Sequence, residues 1–301
     1  MPTGWTTADI PSQRGRHIVI TGANRGLGFE IAAALAARGA DLTLGVRDLA
    51  GGDAARTRLL GLAPNARIEL HHIDLADLAS VRAFAETVAR DPRPIDVLIN
   101  NAAAILVPQG RSRDGFETHM AVNHFGPFVL TLALLPRLNA AQAARIVNTS
   151  SSAHKLSRTF ALNDLGFEKT RYAPMEAYGR SKLAALLFTE ALNRRLCAAG
   201  SRVIAVAAHP GYAKTNTALG SLFMQAATRL IAQSAAMGAL PALYAATAPG
   251  VAANAYIGPG GFGELRGHPA PARRSPRVQD AKLAEDFWKL SEARTAQRVM
   301  P

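Results

Sequence analysis

The run His17-Ile18-Val19-Ile20-Thr21-Gly22-Ala23-Asn24-Arg25-Gly26-Leu27-Gly28 joins an apolar segment to a cluster of glycines. His17–Ile20 is short and bounded by turn signals, as expected of a buried strand. Phe29–Arg38 then has the pattern of a helix that stops at Gly39, a natural C-cap. The glycine spacing, G-x-x-x-G-x-G, differs from the G-x-G-x-x-G usual in dinucleotide folds. Its physics is the same: a tight turn, close approach of backbone to a pyrophosphate, and a helix N-terminus directed at negative charge. Glycines also serve ordinary strand–helix turns, but this placement after the first strand favours a dinucleotide site built from Gly22, Asn24, Arg25, Gly26, Leu27 and Gly28.

Beyond this point strands and helices alternate. Further strands are expected at Leu42–Val46, Ile68–Ile73, Asp96–Ile99, Arg145–Asn148 and Val203–Ala207. A helix led by Asp77 or Ser80 runs through Ala89 and is stopped by Asp91-Pro92. A long helix covers about Gly115–Leu138, and another carries Tyr178 to Leu196. The alternation predicts the α/β class: a single-domain Rossmann-type doubly wound parallel sheet with helices on both faces. No linker, repeat or low-complexity segment divides residues 1–301. Residues 1–15 read as an extension lying on the surface. Residues 212–240, with Leu219, Leu222, Phe223, Met224, Leu230, Ile231 and Met237, read as a substrate lid, about half of whose apolar side chains serve core packing. Residues 260–301 read as a surface loop followed by an amphipathic helix that docks Phe287, Trp288 and Leu290.

Composition narrows the function. The apolar fraction is 49% and the charged fraction 19%, which excludes a disordered chain. Six of the 34 basic residues are lysines and the net charge is +12, yet the arginines are scattered and no nucleic-acid module is present. The charge implies a general attraction for anions such as a phosphorylated cofactor. The lone Cys197 excludes an intrachain disulfide, fits a reducing compartment and is expected to be a packed small hydrophobe. Met1–Arg16 lacks the apolar centre of a signal peptide and Phe125–Leu135 is too short to span a bilayer. A cytoplasmic protein is expected. His71, His72 and His209 lack metal-ligand companions at suitable spacing, so no metal site is expected.

The chemistry falls on loop edges at the carboxyl ends of the strands. Tyr178 and Lys182 are four residues apart, on one face of a helix. A free phenol titrates near ~10, too high for efficient proton transfer at neutral pH, and a fixed cation beside it lowers that value. Val46-Arg47-Asp48 ends the second strand, where an NAD-selective site would place an acid. Arg47 there, with Arg25 from the glycine turn, suits a 2′-phosphate, which favours NADP(H) over NAD(H). Asp74 can bond the adenine amino group and Leu75 can pack on the base. Asn101, Ala102 and Ala103 supply a small-residue edge for the ribose. Ser151, in Asn148-Thr-Ser-Ser-Ser, can hold a substrate oxygen. His154, Phe160 and Tyr212 can face the pocket.

In this combination the chain resembles the short-chain dehydrogenase/reductase family. Thr21–Gly28, Asn100-Asn-Ala-Ala103, Ser150–Ser152, Tyr178-x-x-x-Lys182 and Pro210-Gly211 occur in family order across about residues 15–215. Asn123-His-Phe-Gly-Pro-Phe, the long insert between Ser151 and Tyr178, and Ala207-Ala-His-Pro-Gly211 are similar to the retinol-dehydrogenase-like branch, whose members often prefer NADP(H). The resemblance implies Tyr178 as general acid–base and Lys182 on the nicotinamide ribose, lowering the tyrosine pKa. It further implies Ser151 as the catalytic serine, Asn123 as holder of a relay water, Thr215 on the carboxamide, Pro210 and Gly211 against the cofactor, and a homodimer through the helices of Asn123 and Tyr178. Ala103 replaces the usual glycine after N-N-A, and Gly45 interrupts the second strand.

The leading reading is an NADP(H)-linked oxidoreductase interconverting an alcohol and an apolar carbonyl. The alternatives are the same enzyme using NAD(H), or a dinucleotide-binding regulator without turnover. A sugar-nucleotide epimerase is disfavoured by the glycine spacing and by the lack of a sizeable C-terminal domain.

Overall fold

The computed structural model describes residues 4–212 and 233–298. Eight strands form one sheet in the order β3-β2-β1-β4-β5-β6-β7-β8. They are β1 His17–Thr21, β2 Asp41–Val46, β3 Ile68–His72, β4 Val97–Asn100, β5 Arg145–Thr149, β6 Ile204–Ala208, β7 Tyr256–Pro259 and β8 Pro269–Pro271. All neighbours pair parallel except β8, which runs antiparallel to β7. The six expected strands stand within a residue or two of their places. β7 and the edge strand β8, rich in Gly and Pro, had no sequence signal. Strand order reverses between β1 and β4, which opens a crevice at the carboxyl ends of the strands.

Alternation along each strand divides the core. Ile18, Ile20, Val97, Ile99, Val147 and Val206 point to one face; Val19, Leu98, Ile146 and Ala205 point to the other. The first face is covered by α1 (Gly26–Ala37), α2 (Leu49–Leu62) and α7 (Ala235–Thr247). The second is covered by α3 (Leu78–Ala89), α5 (Gly126–Asn139), α6 (Pro174–Ala198) and α8 (Ala281–Thr295). Asp77 caps α3 by accepting from the Ala79 and Ser80 amides, as its position before the apolar run requires.

Four expectations are corrected. The long helix is not continuous α: a three-residue turn α4 (Thr118–Met120) passes into a π segment, Ala121–Phe125, before α5 begins. Of the stretch read as a lid, residues 213–232, with Phe223 and Thr215, lie outside the described residues. Ala235–Thr247 is a core helix, with Leu240, Leu243 and Tyr244 buried, because its run is apolar on nearly every side. The N-terminal extension is docked and not laid on the surface. Trp5 and Ile10 are buried, and Trp5 packs edge-on to Tyr244 with ring centroids 5.2 Å apart. Cys197 is exposed on the last turn of α6.

Helix α8 docks as its amphipathic pattern requires. Phe287 and Trp288 are buried, Arg195 stacks 4.0 Å over the Trp288 ring, and the same guanidinium pairs with Glu285 at 2.9 Å. Phe128 on α5 and Phe188 on α6 both meet Trp288. The apolar faces of α5 and α6 are thus covered within one chain. Trp288→Ala should cost about 3–5 kcal/mol of stability, read as a lowered urea midpoint at unchanged slope; a loss under about 1 kcal/mol would show that α8 is only loosely seated.

Candidate active site

The glycine turn and the β4 edge are stitched together. Thr21 Oγ1 accepts from the Asn101 and Ala102 amides at 3.1 and 3.2 Å, and Asn101 Nδ2 donates to the Thr21 and Gly22 carbonyls at 2.9 and 3.3 Å. No side chain fits at this seam. A Cβ at Gly28 would lie 2.2 Å from the Gly22 oxygen and 2.6 Å from Asn101 Nδ2. Gly22 has φ +71° and abuts Ala102. Helix α1 starts at Gly26 with no side-chain cap from Arg25, so its first amides stay available to an anion.

Arg25 and Arg47 are both exposed, and neither pairs with a carboxylate among the described residues. Asp48, the nearest acid in sequence, is occupied in capping α2, accepting from the Gly51 amide at 3.1 Å. Asn24 borders the same turn, its Nδ2 3.4 Å from where a Gly51 Cβ would stand. Leu27, Asn101, Thr149 and Pro210 line a recess where the strand ends converge. Ala103 is half-buried on the β4 edge. Asp74 is half-buried at the end of β3 and accepts from the Ala76 amide at 2.9 Å. Leu75 is buried in the core behind that edge, so its side chain is not offered to a base as expected. Gly211 donates its amide to His209 Nδ1 at 3.2 Å, and the Pro210 carbonyl accepts from Gln233 Nε2 at 2.6 Å. These bonds brace the turn after β6. A glycine cradle with room only for backbone, an uncapped helix start and two unpaired guanidiniums fit a phosphorylated dinucleotide.

Tyr178 and Lys182 stand one turn apart on α6. Lys182 is 2% exposed; its Nζ donates to the Thr149 carbonyl at 3.0 Å and lies 5.6 Å from the Tyr178 ring centroid. Ser150 and Ser151 take different roles. Ser150 Oγ donates to the Lys182 carbonyl at 2.9 Å and so fixes α6 to the end of β5. Ser151 caps the following turn, accepting from the Ala153 amide at 3.2 Å, and its hydroxyl faces the Tyr178 phenol. Asn123 lies in the π segment and serves as a strut. Its Nδ2 donates to the Ala104 carbonyl at 2.9 Å and to Ser181 Oγ at 2.8 Å, and its Oδ1 accepts from the Ala104 amide at 2.8 Å. A π turn shifts the hydrogen-bond register by one residue and is common at functional sites.

The electrostatics differ from expectation. Burial pushes the Tyr178 phenol up to about 12, opposed only by the Ser151 hydroxyl, and pushes the Lys182 ammonium down to about 7. The lysine's partner is a neutral carbonyl, so desolvation outweighs any mutual attraction between ammonium and phenolate.

Two residues expected in the pocket are elsewhere. His154 is buried with both ring nitrogens engaged: Nδ1 with the Ser151 carbonyl at 2.6 Å, and Nε2 accepting from the Ser275 amide at 3.1 Å. It ties the C-terminal loop to the serine turn. Phe160 packs on Phe287, with ring centroids 5.1 Å apart, in the core. Tyr212 is 42% exposed, its amide bonded to the Leu265 carbonyl at 2.8 Å. Sequence reasoning missed His119, whose ring meets that of Tyr178, its partners Glu117 and Tyr172, and Arg180. Arg180 sits inside the Y-x-x-x-K motif itself, where a buried guanidinium gave no signal. No group of three or more metal-binding side chains occurs among the described residues.

The lysine carries a stability consequence. Its folded pKa lies below its ordinary value near ~10.4, so the unfolded chain binds the extra proton between about pH 7 and about pH 10. Stability should therefore rise with pH across that window and fall as pH drops towards 7. In Lys182→Met the slope should flatten, as measured by denaturant titration at a series of pH values; an unchanged slope would show the ammonium to be solvated.

Residues 16–163 match the family model for short chain dehydrogenase. Human retinol dehydrogenase 12 is 37% identical over 289 residues, 95% of this chain and 87% of that protein. The crystal structure of an uncharacterized protein from Mycobacterium paratuberculosis superposes with TM-score 0.84 at 42% identity, covering 99% of this chain and 100% of that one. A blue fluorescent protein from a metagenomic library, crystallised with NADPH, superposes with TM-score 0.65 at 26% identity, covering 81% and 96%. The single α/β domain with its mostly parallel sheet agrees with these likenesses, and the chain belongs to the short-chain dehydrogenase family, as an oxidoreductase homologous to the retinol dehydrogenases.

Proposed function

We propose that the protein is an NADP(H)-dependent carbonyl reductase or alcohol dehydrogenase acting on an apolar substrate. The observation that carries the reading is the convergence of Tyr178, Ser151 and Lys182 at the carboxyl end of β5, beside the cradle at Gly22–Gly28. A nicotinamide bound there supplies the hydride. Tyr178, kept protonated by its burial, is a proton donor at neutral pH, which suits reduction of a carbonyl. Ser151 is placed to hold the carbonyl oxygen as negative charge grows on it. Lys182 is held within a turn of Tyr178, its ammonium on the Thr149 carbonyl at the end of β5, a position that supports a contact to a nicotinamide ribose bound there. The Asn123 side chain, bonded to Ala104 and Ser181, supports this arrangement as a strut between the loop after β4 and α6.

Arg25 and Arg47, both without acidic partners among the described residues, support a 2′-phosphate, and NADPH in the metagenomic neighbour is consistent with this. Relatives named for retinol support an apolar alcohol or carbonyl. A regulator without turnover would have no need of the Ser151–Tyr178–Lys182 arrangement.

Tyr178→Phe should abolish carbonyl-dependent NADPH oxidation while leaving NADPH binding by fluorescence titration nearly unchanged; substantial turnover would remove the tyrosine from its role. Arg47→Ala should weaken NADPH by ~1.5–3 kcal/mol and leave NADH almost untouched. Equal losses for the two cofactors would sink the phosphate assignment.

A further inference from the structure

The loop after β4 is held at both ends by pairs of bonds that the proton-transfer residues do not require. At its start the Asn123 amide engages both polar groups of Ala104, at 2.8 and 2.9 Å. At its end the Val107 amide donates to His119 Nε2 at 3.2 Å, and the Val107 carbonyl accepts from the Tyr172 hydroxyl at 2.8 Å. Between the clamps stand Ile105 and Leu106, both half-buried. Leu106 has φ +50°, a left-handed conformation that a leucine rarely adopts and keeps only when its surroundings enforce it.

His119 is fully buried. Since Nε2 accepts from an amide, the ring proton is on Nδ1, which donates to Glu117 Oε1 at 2.8 Å. The other carboxylate oxygen of Glu117 accepts from the Met120 amide at 2.9 Å. The imidazole also meets the Tyr178 ring edge-on, with centroids 6.1 Å apart at 60°. Both its nitrogens are engaged, so it has none left to exchange a proton with substrate. One rigid ring therefore touches the loop on one side and the proton-transfer tyrosine on the other.

We propose that Glu117 and His119 are positioning residues that set the size of the substrate site. Glu117 fixes the tautomer, His119 fixes Val107, and the held loop presents Ile105 and Leu106 as an apolar wall next to Tyr178. This rests on the carbonyl-reducing reading above. Removing the clamp loosens the wall, which weakens binding of a long apolar substrate more than that of a short one.

The test is steady-state reduction of a short and a long-chain aliphatic aldehyde with NADPH. In His119→Leu, KM for the long aldehyde should rise by about 10-fold or more, the range of hydrophobic-pocket discrimination, with the short aldehyde changed less than about threefold. The NADPH Kd should hold. His119→Gln, whose amide oxygen can accept where Nε2 does, should recover most of the loss. Tyr172→Phe removes the bond to the Val107 carbonyl together with the 3.4 Å contact to His119 Nδ1, leaves the bond from Val107 to His119 Nε2 in place, and should move KM in the same direction, which keeps the test open if His119→Leu does not fold. Equal losses on both aldehydes, or a parallel loss of NADPH binding, would mean a purely structural role and overturn the proposal. Nitrogen-15 shifts of the His119 ring in the resting protein give a readout that needs no turnover: the Nδ1–H form is expected, and the Nε2–H form overturns the proposal. Failure of the wild-type chain to reduce any carbonyl would instead sink the functional reading, with the ring shifts still deciding whether the clamp exists.

Discussion

A buried ammonium is the constraint around which α6 and the sheet are arranged. Lys182 has lost its water and faces a single neutral carbonyl, that of Thr149. Such a group is tolerated only where packing around it is secure. Here Ser150 binds the carbonyl of Lys182 itself, and Ser181 next to it takes a bond from Asn123 and donates one to the Tyr178 carbonyl. Arg180, buried between them in sequence, reaches Glu176, Thr159 and the Asp164 carbonyl and stacks 4.0 Å over Phe167. Each residue of the motif after Gly179 thus fastens α6 to a different neighbour. The helix delivers Tyr178 to one place because its other side chains leave it no second one.

Buried histidines perform the same fastening elsewhere. His154 joins the serine turn to the C-terminal loop, and His119 joins the β4 loop to the tyrosine. His124 donates to Ser291 at 2.8 Å, which anchors α8 beside the π segment, and burial pushes its pKa down to about 3. A neutral imidazole offers one donor and one acceptor on opposite sides of a flat, largely apolar ring. It can bridge two backbone segments inside a core where a charged side chain would be too costly. The cofactor edge is built in the opposite way, from glycine, alanine and exposed arginine, because backbone must approach there and charge must remain available.

The fold and the proton-transfer groups could be read early because they rest on local rules. Alternation of strand and helix, the glycine turn after β1 and the four-residue step from Tyr178 to Lys182 are properties of neighbouring residues. The errors arose where a residue's surroundings come from distant parts of the chain. His154 and Phe160 looked like pocket residues by proximity to Ser151 in sequence, yet Ser275 and Phe287 claim them from more than a hundred residues away. Trp5 looked free until Tyr244 covered it. The π segment was invisible because nothing in the order of residues Ala121–Phe125 marks a one-residue shift of hydrogen-bond register; only the tie from Asn123 to Ala104 and Ser181 shows what it is for.

By itself, then, the chain's order of residues determined the sheet, the glycine turn and the tyrosine–lysine step, which follow from periodicity or short-range geometry, and the family, through the likeness of its motifs taken together. Tertiary structure decided which serine faces the phenol, that burial raises the tyrosine pKa and lowers that of the lysine, and that His119, oriented by Glu117, and Tyr172 hold the loop after β4 at Val107. Desolvation and hydrogen-bond pairing depend on what surrounds a group, and those surroundings exist only after segments far apart in the chain have packed together.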